Sequence, residues 1–369
     1  MAGKSPSERL ALERQNAAIM AVFERAGFEQ IAPDIIQPAD IFLERSGEDI
    51  RARTFVFNDP EGHELCLRPD LTVPACRYHL THAENVSAEA RYSYLGPAFR
   101  FPNERLSPQE FNQAGLEWFG AANPVQAEAR MLKLAISALE AAGASGLKVT
   151  LGDVGLFNAL LNDTDMPERW RRRLRHQFWR PEAFHELLAT FAAGVNVKRS
   201  SISPIIDTMK NDNAVADWIA QNDVVVQGTR NMEEVSARLH EKFADRSQAP
   251  IKRDALENYL SIEGSALDVL LLLQTIEGGA TYKAAVAAYE QRLEAIEELG
   301  LNPRRFKFSA NFGREIEYYT GFVFQIEMGD LAVAGGGRYD ELLSDLGAST
   351  KVPAIGCAIH TERLQGAMA

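Results

Sequence analysis

Between Ser5 and Arg25 the apolar residues Leu10, Leu12, Ala17, Ile19, Met20 and Phe23 recur near helical spacing. The chain therefore opens with an amphipathic helix, capped by Ser5 or Ser7 and ended by Gly27. The pattern then turns extended. Residues 28–36 contain Pro33, which suits an edge or interface strand because proline cannot donate to a ladder. Residues 53–57 and 64–67 read as short strands around the turn Asn58-Asp59-Pro60-Glu61-Gly62. Residues 91–101 and 110–120 make a second strand pair. A helix over 124–142, a strand over 147–151 and a helix from 154 follow. From 163 to 264 the spacing is mostly helical, apart from a brief strand-like run at Val224–Val226. Helices over 265–276 and 282–299 lead to two aromatic-rich runs, 319–326 and 331–334, which flank Gly329-Asp330 and predict an antiparallel hairpin. Residues 355–364 read as a strand running into a short helix. The order predicts an α+β fold: an antiparallel sheet flanked by helices, built from 1–162 and 265–369, with a mostly helical insertion at 163–264.

Three places carry candidate chemistry. Along residues 110–120 side chains alternate faces with period two. One face carries Phe111, Gln113, Gly115, Glu117 and Phe119; the other carries Asn112, Ala114, Leu116 and Trp118 and is ordinary core. On the first face Gly115 leaves a notch with polar walls. A ligand, or an ion pair with Arg314 or Arg100, must satisfy Gln113 and Glu117. At the second place, Leu67-Arg68-Pro69-Asp70-Leu71-Thr72, an acid and a hydroxyl leave a strand end together. They either cap a helix that starts near Pro74 or meet a ligand. The third is the hairpin. Arg314, Tyr318 and Tyr319 stand before it, and Gly335-Gly336-Gly337 leads into Arg338-Tyr339-Asp340. Such a set can converge on something small, flat and anionic; the plainer alternative is a hairpin with a flexible exit. No Gly-Lys-Ser/Thr follows the glycines, so they are not a phosphate-binding P-loop. The run Trp170-Arg171-Arg172-Arg173-Leu174-Arg175 reads as a solvated face paired with nearby acids, with a partner or phosphate site as the alternative.

Composition narrows the classes. With 369 residues and 46% hydrophobic content the chain can build two or three compact units. A net charge of -12 argues against binding nucleic acid through a general positive field. The three cysteines, Cys66, Cys76 and Cys357, form no CxxC and read as reduced, buried thiols of a cytoplasmic protein. The first residues show no apolar signal region, and the run 269–273 is too short to span a bilayer. The seven histidines include no HxxxH or HxH, so neither a dedicated metal site nor another cofactor is expected.

In this order the motifs resemble the catalytic core of class II aminoacyl-tRNA synthetases, specifically histidyl-tRNA synthetase, over nearly the whole chain. Leu67-Arg68-Pro69-Asp70-Leu71-Thr72 is similar to that family's Leu-Arg-Pro-Glu-x-Thr. Phe99-Arg100 with Phe111 to Glu117 resembles motif 2, and Gly356 to Leu364 resembles motif 3. Arg314 to Gly321 and Gly336 to Asp340 resemble its histidine signature. There are departures. Motif 2 has a Glu two residues after its Arg, where this chain has Pro102; the places of two basic residues fall on Ser107 and Gln109; Glu315 replaces a glycine; and His360-Thr361-Glu362-Arg363 replaces Gly-Leu-Glu-Arg. An anticodon-binding domain is not expected after motif 3. Several cations that an ATP tetra-anion needs are missing. The histidine-contacting set Asp70, Thr72, Gln113, Glu117, Arg314, Tyr319 and Tyr339 is largely kept.

Kept histidine recognition with eroded ATP chemistry resembles the regulatory subunits of ATP phosphoribosyltransferase. That resemblance implies a non-catalytic subunit in a hetero-octamer with a short catalytic subunit, feedback inhibition by L-histidine, and a homodimer through the first helix and residues 28–36. The alternative it leaves is a histidine-activating enzyme without a tRNA-binding domain. The expected histidine site is Asp70, Thr72, Arg100, Gln113, Glu117, Arg314, Tyr318, Tyr319 and Tyr339. Asp70, Thr72 and Gln113 suit an ammonium, Arg314 or Arg100 a carboxylate, and Glu117 and Tyr319 the ring nitrogens.

Overall fold

The computed structural model describes residues 3–45, 50, 52–101, 109–178, 180–192, 254–313 and 318–368. Arg314, Glu315, Pro102, Ser107 and the run Val224–Val226 lie outside them. The chain divides into two compact units, one formed by 1–160 with 258–369, the other by 161–257.

Helix α1 (Pro6–Arg25) begins at a capping box. Ser5 Oγ accepts from the Glu8 N–H, and the Glu8 carboxylate accepts from the Ser5 N–H at 2.7 Å. Its buried stripe is Leu12, Gln15, Ile19, Val22 and Phe23. Leu10, expected on that stripe, lies off the 3.6-residue line and is exposed, and Gln15 takes its place by donating to the Thr361 carbonyl at 2.8 Å. Residues 28–36 form no single strand. They split into β1 (Glu29–Gln30) and the start of β2 (Ile36–Pro38) because Arg68 intervenes: its guanidinium donates to the Pro33 carbonyl and, at 2.7 Å, to that of Pro97. After α2 (Ala39–Arg45), β3 (Phe55–Asn58) and β4 (Glu64–Leu67) join β2 in a three-stranded antiparallel sheet ordered β2-β4-β3.

The remaining strands form the main sheet. Helix α3 (Thr72–His82) leads to β5 (Ala90–Phe99) and β6 (Glu110–Phe119). Then come α4 (Pro124–Ala141), β7 (Lys148–Asp153) and α5 (Val154–Asn162). In the second unit α6 (Glu168–Gln177) and α7 (Pro181–Ala192) follow. There Arg171 and Arg175 each pair with Glu168 at 2.9 Å, and Trp170 stacks on Phe191 at 4.2 Å, so this part of the arginine-rich run is paired internally.

The chain returns through α8 (Asp254–Leu260), β8 (Glu263–Ser265), α9 (Val269–Thr275), α10 (Ala280–Glu298) and β9 (Lys307–Ser309). Helix α9 starts later than residue 265 because Glu263 to Ser265 pair with β9 instead. The hairpin is β10 (Phe322–Met328) and β11 (Leu331–Arg338), turning at Gly329 with φ +63. It is followed by α11 (Leu342–Asp345), β12 (Ala354–His360) and α12 (Thr361–Met368). The nine strands run β1-β5-β6-β12-β11-β10-β7-β9-β8, antiparallel except at β1/β5 and β7/β9. The three glycines are not a flexible exit. They lie inside β11, between β10 and β12, where a Cβ on Gly336 would overlap the Gly356 carbonyl and one on Gly337 would lie 2.8 Å from the Tyr319 ring.

Against the sheet, α4 packs on both α1 and α10. Arg292 of α10 reaches between them and donates to Glu128 of α4 at 2.5 Å and to Asp153 at the end of β7 at 2.8 Å. Among the described residues no helix is long and apolar enough to cross a membrane.

Candidate functional site

The site is built where the end of β4, the middle of β5 and β6, and the flanks of the hairpin meet. Asp70 is buried at the turn into α3. One of its oxygens accepts from the Val73 N–H at 3.2 Å, which realises the capping role; Oδ2 is buried without a partner. Burial raises the Asp70 carboxyl above its ordinary range, and Arg100 pulls it back. Gln113 is also buried, and its Oε1 likewise has no partner. A buried acceptor without a donor is costly, by about 1–3 kcal/mol, so two of them at one expected ammonium position call for a donor from beyond the described residues.

Glu117 is fully buried at the centre of the sheet. The Tyr94 hydroxyl donates to Oε1 at 3.0 Å and the Tyr339 hydroxyl donates to Oε2. Thr72, half-buried, stands close enough to Glu117 and Tyr94 to favour their ionised forms. Burial pushes the Glu117 carboxyl up to about 8 despite these donors. Glycine makes this seat possible: Gly356 lies directly across from Glu117 on β12, and a Cβ there would overlap Glu117 Oε2.

Two expectations change here. The notch at Gly115 is not open, because the ring of Tyr94, its direct partner on β5, fills it; a Cβ on Gly115 would overlap the Tyr94 Cζ and hydroxyl. Nor is Glu117 held by Arg100, whose Nε donates to the Pro69 carbonyl at 2.6 Å while its guanidinium sits over the Phe111 ring at 5.4 Å. On the same face Phe111 stacks on His360 at 4.7 Å, and Phe119 packs against His79 at 4.7 Å. The face with Leu116 and Trp118 is buried as expected.

Tyr318 and Tyr319 sit edge to face at 5.1 Å, and Tyr318 meets Tyr339 at 5.8 Å in the same way. Burial raises all three phenols, so they stay neutral hydrogen-bonding groups. Thus Asp70, Thr72, Glu117, Tyr318, Tyr319 and Tyr339 share one electrostatic neighbourhood, with Arg100 at its edge. Beyond it, His360 is pushed down to about 3 by burial and by Arg363, Arg100 and Arg53, so it carries no charge at neutral pH. Sequence reasoning missed Tyr94. Its signal was available only as register, a large aromatic residue opposite a glycine.

This sheet, with motif-like segments on its central strands, defines a protein of the class II synthetase core type, close to histidyl-tRNA synthetase. The family profile described as histidyl-tRNA synthetase matches residues 2–245 and 225–364. A solved Bacillus halodurans protein described as an ATP phosphoribosyltransferase regulatory subunit/histidyl-tRNA synthetase superposes with a TM-score of 0.70 at 23% identity, covering 100% of this chain and 82% of that one. The histidyl-tRNA synthetase of Nostoc sp. PCC 7120 superposes at 0.61 with 17% identity, covering 99% and 75%. The chain is 34% identical over 370 residues to the ATP phosphoribosyltransferase regulatory subunit of Allorhizobium ampelinum, spanning 95% of this chain and 97% of the relative. It belongs to the family of ATP phosphoribosyltransferase regulatory subunits.

Proposed function

We propose that this chain is a non-catalytic regulatory subunit that binds free L-histidine as a feedback signal and transmits it to a short catalytic subunit of ATP phosphoribosyltransferase. The carrying observation is the pair of partnerless buried acceptors, Asp70 Oδ2 and Gln113 Oε1, beside a Glu117 carboxylate held by hydroxyls. An α-ammonium satisfies the first two, and an imidazole N–H suits the third. Thr72 assists at the ammonium. Arg100 or Arg314 takes the carboxylate, Tyr318 and Tyr319 line the ring, and Tyr339 steadies Glu117 from behind. Calorimetric titration should show histidine binding, and histidine-dependent ATP–pyrophosphate exchange should be absent. Clear exchange at ordinary enzyme concentration makes the chain a histidine-activating enzyme instead. Pull-down of a catalytic subunit whose activity depends on this chain and falls with histidine tests the partnership and the hetero-octamer.

Glu117→Gln keeps the shape but turns a charged acceptor into an amide. Histidine affinity should fall by about 1–3 kcal/mol, roughly ten- to hundredfold. The apo melting temperature should hold, because burial already favours the neutral form of Glu117 and the amide keeps that neutral shape. Normal affinity with a sharply lower apo melting temperature would make Glu117 a structural residue only.

The chain should also be a homodimer through α1 and the neighbourhood of residues 28–36. Ile36 and Phe57 are exposed on one face of the three-stranded sheet there, apolar surface that a second copy can cover. Light scattering at micromolar concentration should give twice the chain mass; a monomer contradicts this assembly.

A further inference from the structure

We propose that Tyr94 is the positioning residue for ring recognition: it fills the space above Gly115 and holds the Glu117 carboxylate ready to accept a ring N–H. The inference rests on the histidine reading of the site and adds to it a residue that does not itself carry the recognised charge. Three observations support it. Tyr94 is fully buried and stands directly across from Gly115 in the β5/β6 pairing. The ring occupies the volume that a side chain at 115 would take, so Gly115 and Tyr94 work as a pair. The hydroxyl donates to Glu117 Oε1 at 3.0 Å, while Tyr339 takes the other oxygen.

A carboxylate with one donor on each oxygen is fixed in plane and keeps a lone pair on each for an incoming N–H. The pin also bears on charge. Asp70 and Cys76 face Glu117 from the α3 side, Cys357 from β12, and Tyr94, Tyr318, Tyr319 and Tyr339 are further titratable neighbours among the described residues. The thiols and phenols are all raised by burial and stay neutral, so among these groups Asp70 is the competing charge. Among the described residues the neighbouring cation, Arg100, bears on Asp70 and Tyr318. Hydroxyl donors are therefore what keep its ionised form accessible near neutral pH, and Tyr94 is one of them.

The sign follows. A ring N–H needs the ionised carboxylate, and burial pushes the Glu117 carboxyl up to about 8. Histidine affinity should therefore rise as pH rises toward that value. Tyr94→Phe keeps the ring that fills the notch and removes only the donor. The Glu117 carboxyl then moves higher, and the rise in affinity shifts to higher pH.

The test is calorimetric titration of the full chain with L-histidine at several pH values between about 6 and 8.5, for wild type and Tyr94→Phe, with apo melting curves alongside. The expected result is an affinity about tenfold weaker than wild type at pH 7, a gap that narrows as pH rises, and a nearly unchanged apo melt. A variant that had lost its fold would not recover affinity with pH. Gly115→Ala, which drives a methyl group into the Tyr94 ring, should weaken histidine binding while Tyr94 remains present. Normal wild-type binding with an unchanged affinity and pH profile in Tyr94→Phe overturns the role of Tyr94 alone. A wild-type chain that binds no histidine overturns the histidine reading and this role together.

Discussion

Replacing Arg292 with leucine should lower the apo melting temperature by roughly 5–15 °C, corresponding to a loss of about 3–5 kcal/mol. Arg292 is buried, and its two nitrogens neutralise Glu128 at 2.5 Å and Asp153 at 2.8 Å, both buried as well. The substitution leaves two carboxylates in the core. Arg338 reaches Glu128 at 3.3 Å but is shared with Asp340 at 2.6 Å, so it does not replace the lost cation. Asp153 also caps α5, accepting from the Gly155 N–H at 2.8 Å, so the damage extends to that helix. The pH dependence distinguishes this account from a simple packing defect. Stranded carboxylates have raised folded-state pKa values, so the folded state holds more protons than the unfolded one, and stability falls as pH rises through the carboxylate range. The variant should therefore recover part of its lost stability, relative to wild type, on going from pH 7 to about pH 5. Removing one stranded acid in Arg292→Leu/Glu128→Leu should recover part of it at pH 7. A melting temperature within about 2 °C of wild type would mean that the ion network contributes nothing net.

The second large effect falls on ligand binding. Gly356→Ala should reduce histidine affinity at least about hundredfold. Gly356 is registered against Glu117, and a Cβ there would overlap Oε2 and lie 2.8 Å from the Leu116 carbonyl. The side chain of Glu117 must swing away and lose at least one of its two tyrosine donors. Because the backbone carbonyl is also crowded, some stability should be lost too, and titrations should be run well below the melting temperature. Gly366→Ala is the control, since nothing lies within 4 Å of the position its Cβ would take. That change should leave affinity unaltered and melting unchanged or slightly raised, since alanine is favoured over glycine inside α12. Affinity in Gly356→Ala within threefold of wild type would remove the glycine seat from the recognition scheme.

These predictions depend on residues that were unequally legible. The hairpin at Gly329, the pair β5/β6 and the strand-to-helix end at Thr361 were readable because turn chemistry and side-chain periodicity act over a few residues. The split of residues 28–36 was not, because its cause is Arg68, about thirty-five residues downstream, binding the Pro33 carbonyl. Helix α9 starts later than its apolar spacing suggests for a similar reason: the pairing of Glu263 to Ser265 with β9 is long-range.

At the site, local pattern alone put Gln113 and Glu117 on one face of a strand with Gly115 between them, since alternation along a strand requires no knowledge of its neighbours. The pattern also marked Asp70 at a strand end and the glycines beside Tyr339. What satisfies those groups was a tertiary decision. Gly115 reads as a hole until the β5 register sets Tyr94 across it, and Glu117 invites an arginine until Tyr94 and Tyr339 are seen to supply its donors. Arg100 was turned elsewhere by the nearer Pro69 carbonyl, and Gly356 became part of the site only through the β6/β12 pairing. The physical reason is the same in each case. Periodicity and turn chemistry are properties of adjacent residues, whereas the partner of a buried polar group is whichever distant segment the packed sheet brings within hydrogen-bond reach.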